Sequence, residues 1–153
     1  MTLAMPMIYP LSQTRLIDLP FHKDDNGGLV VVEGLTHVPF NIARVFMVSA
    51  SSGAVRGQHA HKRCVQFMVC STGVIEIICD DGIDTATFIL DRPSLGLLVP
   101  PSLWAQETFQ KSNSVLTVFC DRPFEIEDYI RDYADLLAYR KMARDLGIAK
   151  GKS

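Results

Sequence analysis

Apolar residues along this chain gather in short runs, broken at close intervals by glycine, proline, asparagine, aspartate and serine. Candidate strands are TRLIDL (14–19), GLVVVE (28–33), IARVFMVSA (42–50), CVQFMVC (64–70), VIEIIC (74–79), TATFIL (85–90), LGLLVP (95–100) and VLTVFC (115–120). These runs are rich in Val, Ile, Phe and Thr, which suit a pleated, half-buried surface. Many short strands separated by turn signals predict a sandwich or barrel. Asp81-Gly82, between VIEIIC and TATFIL, is a hairpin signal because both residues tolerate positive φ. Gly27-Gly28 and Ser51-Ser52-Gly53 mark further turns.

After Pro123 the period changes. In IEDYIRDYADLLAYRKMARDLG the apolar residues Ile130, Ala134, Leu137 and Met142 recur at helical spacing. Acidic Glu127 and Asp128 near the start and basic Arg140, Lys141 and Arg144 near the end suit the helix dipole. Gly147 supplies a stop. The pattern predicts a single all-β domain over 1–153, with a barrel over about 14–122 and a C-terminal α-helix over about 127–147.

At 153 residues the chain is long enough for a real core. With 48% hydrophobic and 21% charged residues it reads as soluble and globular. A formal net charge of −2 does not supply the basic surface that a nucleic-acid partner requires. No apolar run approaches the roughly 20 residues that span a bilayer, so no membrane partner is expected. The opening MTLAMPMIYPLSQTR has no basic residue before Arg15 and is broken by Pro6 and Pro10, a poor secretory signal. Cys64, Cys70, Cys79 and Cys120 show no CxxC pair and no zinc-ligand spacing, and read as reduced, buried thiols. The expected location is the cytoplasm.

The chemistry is carried by His59 and His61. On an extended strand, residues two apart point to the same side, and histidine is the side chain most easily poised as acid or base near neutrality. The pair suggests a metal site or proton transfer. Gly53, His59, His61 and Gly73 fit the first motif of cupin barrels, G-x5-H-x-H-x(3,4)-E-x6-G, with Gln66 at the acidic position. The resemblance implies a double-stranded β-helix, or jelly roll. The second cupin motif, P-x-G-x-x-H, is best matched by Pro100 to Ala105, with Ser102 for the glycine and Ala105 for the histidine. A cupin metal site typically uses three histidines and a carboxylate. Here a neutral amide and a methyl group stand in their place, which leaves a cation underligated and its charge unbalanced. His22 and His37 read as loop residues. No metal is therefore expected.

A longer string, RVFMV…RGQHAHKRCVQFMVCSTG…CDDG…LDRPSLGLLVPPSLWA…EDYIRDY, running from about Asp25 to Tyr133, resembles the sugar nucleotide 3,4-ketoisomerases. These are cofactor-free cupins that act on dTDP-4-keto-6-deoxyglucose. The resemblance implies a ketone moved between neighbouring carbons through an enediol, with His59 and His61 as the acid/base pair and His59 favoured for the first proton. It implies substrate contacts from Arg44, Arg56, Gln66, Trp104 and Arg131. Strict alternation puts Arg56 on the opposite face from His59 unless Gly57 lets the strand bulge. Lys62 points away by parity, and Tyr129 is either a nucleotide contact or a packing residue.

Three positions depart from the family pattern. Met47 replaces a frequent tyrosine, Ala105 a polar residue that is often histidine, and Asn26 a basic or aromatic one. The last two are positions that bear on the side of carbon 4 that is protonated. Met47 and Ala105 keep one alternative open, a non-catalytic sugar-nucleotide-binding cupin module; a metal-dependent cupin enzyme is the remaining one. Family members usually form homodimers through sheet pairing, often with an exchanged N-terminal strand. Their product leads to a 3-acetamido sugar of a surface polysaccharide.

Overall fold

The computed structural model describes residues 5–147. The expected KGKS tail and the first four residues of the opening segment lie outside that range. After a short 3-10 turn at Leu11–Gln13, twelve strands follow: β1 (Arg15–Asp18), β2 (Phe21–Asp24), β3 (Gly27–Val30), β4 (Arg44–Ser49), β5 (Val55–His61), β6 (Gln66–Thr72), β7 (Ile75–Asp80), β8 (Thr85–Leu90), β9 (Leu95–Val99), β10 (Trp104–Phe109), β11 (Val115–Cys120) and β12 (Tyr129–Ile130). One α-helix, α1 (Tyr133–Asp145), comes last among the described residues.

The strands form two five-stranded sheets, β1-β9-β6-β11-β4 and β12-β5-β10-β7-β8, with β2-β3 as a separate hairpin. The named strand pairs are antiparallel. Two such sheets face to face, with strands crossing between them in sequence order, make the jelly roll of a cupin. Alternation decides which side chains enter the space between. On β7, Ile75, Ile77 and Cys79 are fully buried, and on β11 Leu116, Val118 and Cys120 point inward. They join Leu90, Leu97 and Phe109 in the main core. A second cluster, Leu19, Val38, Phe40, Phe67, Val69 and Leu98, is covered by the segment between β3 and β4. All four cysteines are buried and free, and no helix of the described residues is long and apolar enough to cross a membrane.

Most candidate strands form within a residue or two of their expected limits. At Asp81-Gly82 the β7–β8 hairpin turns with Gly82 at φ +90°. The Asp81 carboxylate accepts from the amides of Ile83 and Asp84. The helix differs. It starts at Tyr133, not near 127, because Asp132 caps it by accepting from the amides of Ala134 and Asp135. Upstream, Ile126–Asp128 is a single 3-10 turn, and Tyr129–Ile130 is extended and pairs with His61 and Ala60. Asp128 is buried as an acceptor for strand β5, which is incompatible with an exposed first helical turn.

Candidate active site

Between the sheets lies a cavity of about 180 Å³ that opens to solvent. Its polar lining comes from Arg56 and His59 on β5, Gln66 on β6, Glu107 on β10 and Tyr129 on β12. Apolar side chains of β4, β6, β10 and β11, among them Phe46, Met68, Phe109 and Val118, form the rest.

His59 and His61 share one side of β5, their ring centroids 5.0 Å apart and nearly perpendicular. Their environments differ. His59 faces the cavity, and burial followed by the neighbouring His61 pulls its pKa down to about 4, with Arg131 acting the same way. It is therefore an unprotonated imidazole at neutral pH. His61 is buried behind it, 5% exposed. Its Nδ1 lies 3.0 Å from Asp128 Oδ2, and its Nε2 is buried with no protein partner. Burial would raise the Asp128 pKa, but its bonds from His61 and from the amides of Arg63 and Cys64 outweigh this and hold it below the usual value. The ionised carboxylate fixes the His61 proton on Nδ1. Tyr129 packs on both imidazoles, at 5.1 Å from His59 and 4.4 Å from His61.

Arg56 reaches the cavity because β5 bulges. Gly57 has φ +79° and Gln58 φ +57°, and the pairing with β10 slips between Ala105 and Gln106. A Cβ at Gly57 would meet the Glu107 carboxyl. Only glycine satisfies both the positive φ and that approach.

Arg44 does not line the cavity; its guanidinium lies 5.2 Å over the ring of Phe46, which does, and 5.5 Å over Phe124. It donates to Cys120 Sγ at 3.6 Å. Gln66 also turns its amide nitrogen to that sulfur, at 3.9 Å. Arg131 stacks on Tyr129 at 4.4 Å and lines an outer groove with Lys62, Tyr139 and Met142. Tyr129 borders both spaces.

Trp104 is not brought into this group. It stands edge-on to Tyr133 at 5.4 Å and packs with Ala60, Ile130 and Leu136 under the helix, because inward-facing positions on β10 fall to Ala105, Glu107 and Phe109. Met47 is 72% exposed on the outer side of β4, while Phe46 and Val48 face the cavity. Asn26 lies in the exposed β2–β3 turn. His22 is exposed on β2, and His37 accepts from the Glu33 amide in a turn. The residue pattern places Asp128 only at a helix start and gives Glu107 no role. Asp128 is 67 residues from His61, so no local spacing reveals it. Glu107 carries a signal, a lone carboxylate on the apolar face of WAQETF.

The cupin metal position would be built from His59, His61 and the side chains at 66 and 105. Gln66 is engaged with Cys120, and Ala105 has no donor atom, so this donor set does not fit a divalent cation. His61, Cys64 and Asp128 also place donor atoms within 4.8 Å of one another. There the carboxylate is taken up by His61 and two amides, and a hydrogen bond to Cys120, then burial, hold the Cys64 thiol protonated.

Residues 12–141 match the family model described as "FdtA: WxcM-like, C-terminal". The chain belongs to this family. Among curated proteins, the TDP-4-oxo-6-deoxy-alpha-D-glucose-3,4-oxoisomerase of Aneurinibacillus thermoaerophilus is 36% identical over 128 residues, which cover 83% of this chain and 92% of that protein. Among solved structures, a sugar 3,4-ketoisomerase from Thermoanaerobacterium thermosaccharolyticum in complex with TDP is 28% identical with a TM-score of 0.83, covering 87% of this chain and 98% of the other. A histidine-to-asparagine variant of that enzyme, in complex with TDP-4-keto-6-deoxyglucose, superposes with the same TM-score of 0.83 over 87% of this chain and 97% of its own. The FdtA family relationship accords with the cupin frame.

Proposed function

We propose that this chain is a sugar nucleotide 3,4-ketoisomerase, converting dTDP-4-keto-6-deoxyglucose to a dTDP-3-keto-6-deoxyhexose by histidine-mediated proton transfer. The observation that carries this reading is His59 on the wall of the cavity between the sheets, 5.0 Å from a His61 that is paired with Asp128.

The hydrogen on carbon 3 is acidified by the ketone on carbon 4. His59 takes it, and the electron pair forms the enediol double bond. The resulting imidazolium returns a proton to carbon 4. His61, bound through Nδ1 to the Asp128 carboxylate, lies against His59 and steadies the charge that His59 acquires. Arg56 faces the oxygen on which negative charge grows, where a fixed cation is worth most in a partly dry site. Gln66 offers its amide to a sugar hydroxyl. The cavity takes the hexose, and the nucleotide leads out past Tyr129. Arg44 and Arg131 flank that exit, and guanidinium forks suit a diphosphate. Lys62 and the aromatic groove beyond offer the rest of the nucleotide a seat.

The working form is a homodimer in the cytoplasm. Edge strand β4 leaves Val45 and Met47 49% and 72% exposed, a strand face that a second copy covers. The product feeds sugar assembly for a surface polysaccharide. The deciding experiment is incubation of chelator-treated protein with dTDP-4-keto-6-deoxyglucose, followed by proton NMR. Appearance of the 3-keto isomer supports the reading. Unchanged substrate from folded protein that still binds TDP leaves a binding module instead.

A further inference from the structure

Isomerisation moves two protons, and His59 accounts for one. The reactant carries hydrogen and hydroxyl on carbon 3 and a ketone on carbon 4; the product carries them reversed. One proton passes from carbon to carbon. The other must pass from the oxygen on carbon 3 to the oxygen on carbon 4. Once His59 holds the carbon-bound proton it is an imidazolium and accepts no second one.

We infer that Glu107 is the second proton-transfer group of the site, relaying the proton between the two neighbouring sugar oxygens. The inference rests on the ketoisomerase reading above. Among the described residues, Glu107 is the sole carboxyl on the cavity wall. It is 5% exposed and turned inward on β10, between Ala105 and Phe109. Across the strands its register partners are Arg56 on β5 and Ile77 on β7. Arg56 acts on it through space, without a hydrogen bond. Gly57 leaves room for its carboxyl, since any side chain there would strike it. The glycine of the Arg56-Gly57 bulge thus serves two ends, bringing the arginine inward and clearing the acid.

The ionisable groups facing Glu107 are few. Strand β5 contributes Arg56 and His59, and β12 contributes Tyr129. Strand β7 contributes Cys79, a thiol pushed up to about 12 by burial and by Glu107 itself. The opposite sheet contributes Gln66, which does not ionise. Burial, opposed by its own amide and by Arg56, lifts the carboxyl to about 7, so it holds a proton to give near neutrality.

The step balances. As His59 takes the carbon 3 proton, the C–H pair becomes the carbon 3–carbon 4 double bond. The ketone's π pair takes the Glu107 proton to form the second enol hydroxyl. In the return half, the hydroxyl on carbon 3 gives its proton to the Glu107 carboxylate and its O–H pair becomes the new carbonyl. Carbon 4 takes the proton from His59. Both groups end as they began, and no oxidant or reductant is required.

The test is Glu107→Gln, which keeps shape and hydrogen bonding but removes the acid proton. The expected result is a kcat lower by about 100-fold or more, with KM and TDP binding little changed. Wild-type kcat should fall as pH rises through about 7, and that limb should be absent from the variant's residual rate. Unchanged kcat with the alkaline limb intact overturns the inference. If the variant does not fold, the wild-type profile decides: a falling limb near that pH, retained in Glu107→Asp, supports it, and a flat profile overturns it. No isomer from wild type at any pH sinks the ketoisomerase reading itself, a result distinct from an active Glu107→Gln.

Discussion

The Nδ1 of His61 lies 3.0 Å from Asp128 Oδ2, and the same carboxylate accepts from the amides of Arg63 at 2.7 Å and Cys64 at 3.3 Å. One side chain from the segment before α1 therefore fixes both the turn that ends β5 and the tautomer of the inner histidine. Asp128→Asn keeps the shape and removes the charge. Turnover should fall by about 10- to 100-fold as His61 loses its fixed proton. Stability should drop by about 2–3 kcal/mol, as expected for hydrogen bonds to a buried charge. Because the folded pKa of Asp128 lies below its unfolded value, its stabilisation is full above the unfolded pKa of about 4 and is lost as pH falls through the folded one. Urea unfolding at stepped pH should show the gap between wild type and variant closing only in acid.

His59 and Glu107 impose opposite pH slopes on stability. His59 has a folded pKa of about 4, below the unfolded value of about 6.5, so the unfolded chain binds the extra proton and stability falls as pH drops between them. Glu107 has a folded pKa of about 7, above the unfolded value of about 4.3, so stability falls as pH rises between them. In wild type the slopes offset each other over the shared window. Denaturant midpoints should therefore rise with pH there in Glu107→Gln and fall in His59→Asn.

Gly57→Ala joins two penalties, a positive φ and a Cβ against the Glu107 carboxyl. The left-handed conformation alone costs an alanine about 1–2 kcal/mol. The variant should lose at least that in urea unfolding. It should also lose turnover, because the bulge that turns Arg56 inward is disturbed.

Trp104 packs beneath α1 and not on the cavity wall. Trp104→Phe should lower stability by about 1–2 kcal/mol, in the usual range for a packing defect, and leave KM for the sugar nucleotide unchanged. A raised KM with unchanged stability would return this residue to the binding site.

The extent to which the site could be read in advance follows from what each feature depends on. The parity of His59 and His61 and the hairpin at Gly82 depend on local geometry, and both appear as the residue pattern implies. The bulge at Gly57 was legible as a requirement, because Arg56 has no other route to the face of His59. Helical spacing misplaced the start of α1. Asp128 and Tyr129 have helix-like neighbours, yet β5 claims them through a buried acid and a two-residue strand. Asp128 reads as a helix-start acid because it meets His61 only through tertiary contact. Glu107 lies on a strand outside the candidate runs, and only the alternation of WAQETF marks it as inward. Trp104 shows the same difficulty in reverse, since the facing of β10 sets its environment.

The most direct measurement compares wild type with His59→Asn by proton NMR on dTDP-4-keto-6-deoxyglucose, with TDP affinity measured in parallel by calorimetry. The expected result is a 3-keto isomer from wild type and none from the variant, with TDP binding alike in both. Isomer formation by His59→Asn at the wild-type rate would contradict proton transfer through His59.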